Sequence, residues 1–182
     1  MTNTQLDTAL AALQANRPLS YPTETFYAVG CLSLSKEAID ALSQLKKRST
    51  HANPYPLLLG SREHLALIST GWSSLAEQLM DAFWPGPLTL VLPARDDLDP
   101  RIVGSNGGVA IRQSSHPTAQ ELSKLAGQPL ISTSANLTGE APPSTAAAVL
   151  SYFPEVDIFD GGETPGGSPS TIIDMTQETP KI

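Results

Sequence analysis

Several polar stretches in this chain begin where an apolar run ends, and their side chains are suited to binding a ligand. The densest spans residues 130–139 (LISTSANLTG), where an apolar run leads into Ser132, Thr133, Ser134 and Asn136. Hydroxyls and an amide donate to ligand oxygens without adding net charge, although a self-satisfied turn would use the same groups. Lys46-Lys47-Arg48-Ser49 follows an amphipathic segment. Such cations either offset a helix C-terminus and face solvent or converge on phosphates, where Arg offers a fork and Lys a point charge. Arg112 closes the apolar run 109–112 (VAIR), a place open to a surface ion pair or to a ligand at the end of a sheet. Residues 21–27 (YPTETFY) form a Pro-directed turn with a capping Thr, or a binding loop. Residues 166–174 (GGSPSTIID) bring Ser170 and Thr171 to the mouth of a strand. Residues 84–92 (WPGPLTLVL) read as structural, with Trp84 anchoring a turn that the prolines fix.

Other chemistries lack their residues. There is no G-x-x-x-x-G-K-[ST] loop and no G-x-G-x-x-G between a strand and a helix. His51, His64 and His116 have no metal-ligand spacing, and there is no G-x-S-x-G elbow. With Cys31 alone, no internal disulfide can form, which fits a reducing cytoplasm. No apolar run is long enough to span a membrane and no signal peptide is visible. The chain has 182 residues with 40% hydrophobic content, which sets one core-forming domain as the expectation. Net charge is −7, which argues against generic wrapping of nucleic acid. The charge is uneven, however: residues 36–62 hold five basic and two acidic residues, whereas residues 136–182 hold seven acidic and only Lys181. A basic island in an acidic chain suggests a site for a small anion.

The elements that must position these groups alternate between helix and strand. Leu6, Leu10 and Leu13 make one stripe over 5–16, and Ile39, Leu42 and Leu45 make another in a helix capped by Ser35 and closed by Lys46-Lys47-Arg48. Further helices are expected near 61–68, at 73–83, 117–126 and 145–152. Strands are expected at 19–22, 56–60, 88–92, 109–112, 130–133, 156–159 and 171–174, which makes an α/β domain around a substantial sheet. The stretch 161–169 (GGETPGGSP) reads as a functional loop between two strands.

In order, YPTETFYAVG, LKKRS, FWPGPLTLVLP, VAIRQSSHP, ISTSANLTGEAPPST and GGETPGGSPSTIIDMT resemble the YrdC/TsaC family of threonylcarbamoyl-AMP synthases over residues 20–176. The resemblance implies a single α/β domain over residues 1–182, with a twisted central sheet, flanking helices and a large concave cavity. It implies a cytoplasmic nucleotidyltransferase that makes threonylcarbamoyl-AMP and pyrophosphate from L-threonine, bicarbonate and ATP, with Mg2+ accompanying the nucleotide and no metal ligands assigned on the protein. Partner proteins would then transfer the group to tRNA. By matching positions, Lys46 and Arg48 act on the ATP phosphates, and Asn53, Asn136 and Ser144 also contact the nucleotide. Thr25, Arg112, Ser134 and Ser170 hold threonine, with Arg112 on its carboxylate.

The match has departures. Ser49 replaces the usual Pro, the loop at 50–56 is a residue longer than the common form, Ala28 replaces Gly, and Tyr55-Pro56-Leu57-Leu58-Leu59 stands where many members carry a threonine-contacting His. The sequence given also stops before the Arg-containing tail that commonly reaches ATP. The alternative is a related RNA-binding or ribosome-maturation protein with little synthase activity. A weak RNA contact would need Lys46, Lys47, Arg48, Arg62 and Arg112 on one surface. A third reading, carbamoyl transfer as in hydrogenase maturation factors, goes with zinc-finger modules that this sequence lacks.

Overall fold

The computed structural model describes residues 3–48, 53–177 and 179–181. Its strands are β1 (Leu19–Pro22), β2 (Tyr27–Leu32), β3 (Leu57–Leu59), β4 (Leu88–Pro93), β5 (Gly108–Gln113), β6 (Leu130–Ser134), β7 (Asp157–Ile158) and β8 (Thr171–Asp174). They form one mixed sheet in the order β7-β1-β2-β6-β3-β5-β4-β8. The pairs β1–β2, β2–β6, β3–β6 and β4–β5 are antiparallel, while β1–β7, β3–β5 and β4–β8 are parallel. The helices are α1 (Asn3–Gln14), α2 (Lys36–Leu45), α3 (Ser74–Phe83), α4 (Pro117–Leu125) and α5 (Ala146–Tyr152).

Alternation along the strands divides the core between the two faces of the sheet. Tyr27, Val29, Cys31, Leu57, Leu59 and Ile131 pack with Ile39 and Leu42 of α2, Met80 of α3 and Val149 of α5. The residues between them, Ala28, Leu58 and Leu130, pack with Leu19 and Tyr21 of β1, Leu13 of α1 and Leu122 of α4. Burial on both faces explains why these strands read as unbroken apolar runs. The helix starts follow from their hydroxyls: Ser35, Ser73 and Thr145 each accept the backbone N–H three residues on.

Three local expectations change. Residues 27–32, where no strand is expected, form β2 near the middle of the sheet. A strand buried on both sides offers no polar alternation to detect. The helix expected near 61–68 is a 3-10 turn at Arg62–Leu67, and the strand expected at 156–159 pairs over Asp157–Ile158 alone. Trp84 takes its expected structural role, its indole N–H donating to Leu88 O at 2.7 Å. Among the described residues no helix is long and apolar enough to cross a membrane.

The contact between β2 and β6 leaves no room at Gly30. A Cβ there would lie 1.8 Å from Ile131 O and 3.1 Å from the Tyr21 hydroxyl. Gly30→Ala must push backbone apart in the centre of the sheet. The expected cost is about 3 kcal/mol, at the upper end for overpacking, measured by urea unfolding. A midpoint equal to wild type would show that the two strands are not this close.

Candidate functional site

The strand alternation that builds the core also builds a cavity. Leu58 lies opposite both Arg112 and Leu130, and Ala28 lies opposite Ser134. Leu58, Arg112, Ala28 and Ser134, together with Ser132, line a cavity of about 370 Å³, completed by Thr25, Thr89, Asn136, Pro142 and the loop Ser168–Pro169–Ser170. Five of the expected site residues, Thr25, Arg112, Ser134, Asn136 and Ser170, therefore meet at one place, although they come from four separate stretches of the chain.

Each is held by local chemistry. The β1–β2 turn is closed by Thr23, whose hydroxyl donates to Phe26 O at 2.7 Å and accepts from Thr25 N at 3.3 Å. Gly166 N donates to Thr25 O at 2.8 Å, which brings the 161–169 loop against that turn. Ser170 shares a 2.7 Å hydrogen bond with Thr89 of β4. Arg112 is paired with Glu24, and burial pulls its guanidinium below the usual value. Asn136 donates from its amide nitrogen to Glu140 O at 2.6 Å, while its buried Oδ1 has no partner. Flipping the amide would set two acceptors face to face. The open end of Asn136 is thus an acceptor waiting for a donor, and it suits a hydroxyl, an amine or an ammonium better than a phosphate oxygen.

The cations reach the site from the end of α2. They do not occupy its last turn, as the sequence suggests: the helix ends at Leu45, and Lys47 takes a left-handed conformation with φ of 48°. Arg48 N bonds to Ser43 O at 3.1 Å and Lys47 N to Gln44 O at 3.1 Å, the pattern of a Schellman cap. This turn leaves Lys47 exposed and turns Lys46 inward. Lys46, only 7% exposed, donates to Ser134 O at 2.7 Å and also to Asn136 O, and its ammonium lies 5.8 Å from the Phe153 ring. Burial, with the Arg48 charge beside it, lowers its pKa to about 8. Arg48 stacks 4.1 Å from the centre of the Tyr55 ring and donates to Asn53 O.

The remaining expectations separate. Lys46 touches the cavity wall through those two carbonyls, but Lys46, Arg48, Asn53 and Ser144 are not among the lining residues. Asn53 serves as a carbonyl acceptor for Arg48, and Ser144 O accepts from Thr164 N at 2.8 Å and from its hydroxyl at 3.2 Å. Ser49, like Thr50 and His51 of the longer loop, lies outside the described residues. The basic island is also divided. Arg62 is held by Asp81 at 2.6 Å and Glu77 at 3.1 Å on α3. Lys36 lines a different and larger cleft of about 610 Å³, together with Ile39, Arg95 and Asp99. That cleft takes in no motif residue, and in it Arg95 pairs with Asp97 and Asp99 with Arg101. Sequence reasoning missed Glu24, quoted within YPTET, because its partners Arg112 and Ser114 are far away in the chain.

An open α/β sheet carrying a hydroxyl-rich cavity, a largely buried Arg and two cations at the adjoining helix end has the groups that suit a small polar, anionic ligand. The chain belongs to the Sua5/YciO/YrdC family, whose model, described as telomere recombination, matches residues 11–182. It is 35% identical over 177 residues to the threonylcarbamoyl-AMP synthase of Pyrococcus abyssi, covering 96% of this chain and 52% of that protein. It is 33% identical over 177 residues to the threonylcarbamoyl-AMP synthase of Photobacterium profundum, covering 96% of each. The structure of P. abyssi Sua5 complexed with L-threonine superposes with a TM-score of 0.91 at 33% identity, over 99% of this chain and 53% of that one. The chain thus spans about half the length of its Pyrococcus relative.

The buried ammonium has a consequence for stability. Its folded pKa of about 8 lies below the ordinary 10.5. Between those values the unfolded chain binds the proton that the folded chain has lost, so stability rises with pH across that window. Below pH 8 both states are protonated and the cost of burying the charge is fully present. Cys31 acts in the opposite sense, since burial raises its thiol from 9.0 to about 12 and favours unfolding as pH rises above 9. The comparison with Lys46→Met removes that background. Wild-type stability minus that of the variant should increase by about 2 kcal/mol from pH 7.5 to pH 9.5 in denaturant titrations. A difference that stays flat across this range would place the ammonium in solvent.

Proposed function

We propose that this chain is an L-threonylcarbamoyladenylate synthase, a nucleotidyltransferase acting as one domain over residues 1–182. The observation that carries the reading is the meeting of Thr25, Arg112, Ser134, Asn136 and Ser170 around one cavity, with Lys46 bonded to the backbone carbonyls of two of them. The names of the two relatives and the threonine complex of P. abyssi Sua5 support it.

In this reading the cavity holds threonine, with its carboxylate on the remaining Arg112 donors and its other polar groups among the hydroxyls of Thr25, Ser134 and Ser170. The amine combines with bicarbonate to give a carbamate and water. A carbamate oxygen then attacks the α-phosphorus of ATP, and pyrophosphate leaves with the electrons of the broken P–O bond. No group on the protein needs to form a covalent bond. The residues supply placement and charge: they hold the two reactants in line and offset negative charge as it develops. Lys46 and Arg48 face the triphosphate. Asn136 meets the nucleotide through its Oδ1, which accepts from a donor such as a ribose hydroxyl, while Glu140 O holds its amide nitrogen in place. Asn53 and Ser144 border the nucleotide site.

Mg2+ would be brought by the nucleotide. There it would share the negative charge of the phosphates with Lys46 and Arg48. The activated product is a mixed anhydride, and partner proteins that pass the carbamoyl group on to tRNA would consume it. Direct RNA binding is a minor part of this reading, because Arg62 and Lys36 are directed away from the cavity.

Pyrophosphate release from ATP and Mg2+ should require both threonine and bicarbonate, with threonylcarbamoyl-AMP appearing in equal amount by mass spectrometry. Release without threonine, or none at all, would sink the assignment. Arg48→Ala should weaken ATP at least about tenfold, as expected for a lost charge-assisted contact, while stability changes by less than about 1 kcal/mol. Nucleotide affinity equal to wild type in that variant would remove Arg48 from the site.

A further inference from the structure

Glu24 is absent from the residues assigned above, yet its carboxylate is bonded to Arg112, which lines the cavity. Arg112 Nη1 donates to one of its oxygens and the Ser114 hydroxyl to the other. The bond joins two distant parts of the fold, because Glu24 lies in the β1–β2 turn while Arg112 and Ser114 lie at the end of β5. Thr23 and Thr25 line the cavity, whereas Glu24 does not.

The pair is rigid at both ends. Ser114 is fully buried, its Oγ accepts from His116 N at 3.1 Å, and its carbonyl accepts from Gln120 at 2.6 Å. Glu24 could not swing off Arg112 without also leaving the buried Ser114 O–H without its acceptor, which argues against a carboxylate that yields its place to substrate. On the other side, the hydrogen bonds of Thr23 and the contact from Gly166 fix the turn. The side chains of Arg112 and Glu24 are 17% and 18% exposed, so solvent screens their attraction only weakly.

We infer that Glu24 is a positioning residue for the carboxylate of the substrate. A guanidinium has five N–H donors in one plane, and fixing one nitrogen sets the direction of the rest. Pairing Nη1 with Glu24 leaves Nε and Nη2 as a preset edge for a second carboxylate. The same bond joins Arg112 to Thr25, the residue after Glu24, so two walls of the amino-acid site keep a constant separation. This inference rests on the cavity being the threonine site.

The test compares Glu24→Ala, Glu24→Gln, Arg112→Ala and the double variants, using calorimetry for threonine and steady-state kinetics for both substrates. Glu24→Ala should raise the Kd and KM for threonine by about tenfold or more, the scale of one charge-assisted contact. The KM for ATP should stay within about twofold and kcat within about threefold, since only substrate capture depends on the pair. Glu24→Gln keeps an acceptor for Nη1 and should lose less. The Glu24→Ala/Arg112→Ala variant should bind threonine no more weakly than Arg112→Ala alone, because Glu24 acts through Arg112.

Tighter threonine binding in Glu24→Ala, equal losses for threonine and ATP, or a double variant that carries both losses in full would each overturn the inference. If Glu24→Ala does not fold, Glu24→Gln and its double variant with Arg112→Ala are judged on the same criteria. Wild-type protein that fails to bind threonine would overturn the reading of the site itself. Loss of threonine binding in Arg112→Ala with wild-type binding in both Glu24 variants would overturn the Glu24 inference alone.

Discussion

The Lys46 ammonium, held between the carbonyls of Ser134 and Asn136, is the interaction on which the site depends. Burying a cation without a carboxylate is costly, and two carbonyl acceptors offset only part of that cost. The pair of bonds joins the cap of α2 to the exit of β6, so the end of a helix on one face of the sheet reaches residues that line a cavity on the other. Moving α2 by one turn would strand the ammonium and leave both carbonyls unpaired. The Schellman cap with Lys47 in a left-handed conformation fits this demand: it turns the chain sharply enough for Lys46 to enter and Arg48 to stack on Tyr55.

A buried cation at a cost is consistent with a ligand that supplies the missing negative charge. Arg112 is satisfied differently, by a carboxylate from within the chain. The two cations thus present different fields to the cavity. Arg112 with Glu24 forms a nearly neutral, oriented pair that offers geometry, while Lys46 offers charge. A zwitterionic amino acid suits the first and a polyphosphate suits the second. The proposed reaction calls for both, one for each reactant.

How much of this was legible in the sequence follows from the distance over which each feature is determined. Thr25, Arg112, Ser134, Asn136 and Ser170 could be found because each lies at or near the end of a strand, and strand ends can be read from a few neighbouring residues. Their convergence was not legible from any one segment; it depended on the order of the six motifs and on the family they resemble. β2 was hidden because both of its faces are buried, and nothing local to Gly30 shows that it marks a close approach of backbones. Glu24 was hidden because its meaning lies 88 residues away at Arg112. Ser144 illustrates the opposite limit: it matches the motif by position, yet the fold directs its backbone to Thr164 and leaves it off the lining of the cavity.

The acidic balance also has a physical reading once its partners are known. Arg17, Arg62, Arg95 and Arg101 pair with Asp157, with Glu77 and Asp81, with Asp97, and with Asp40 and Asp99. Carboxylates neutralise those four cations in places where no motif residue lies. Among the described residues, the partners of Lys46 and Arg48 are backbone carbonyls and aromatic rings, which orient a cation without cancelling its charge. A net charge of −7 therefore does not weaken an anion site. The carboxylates restrain four of the cations that would otherwise compete for anions elsewhere on the surface, while the α2 cap delivers Lys46 and Arg48 with their charge uncancelled.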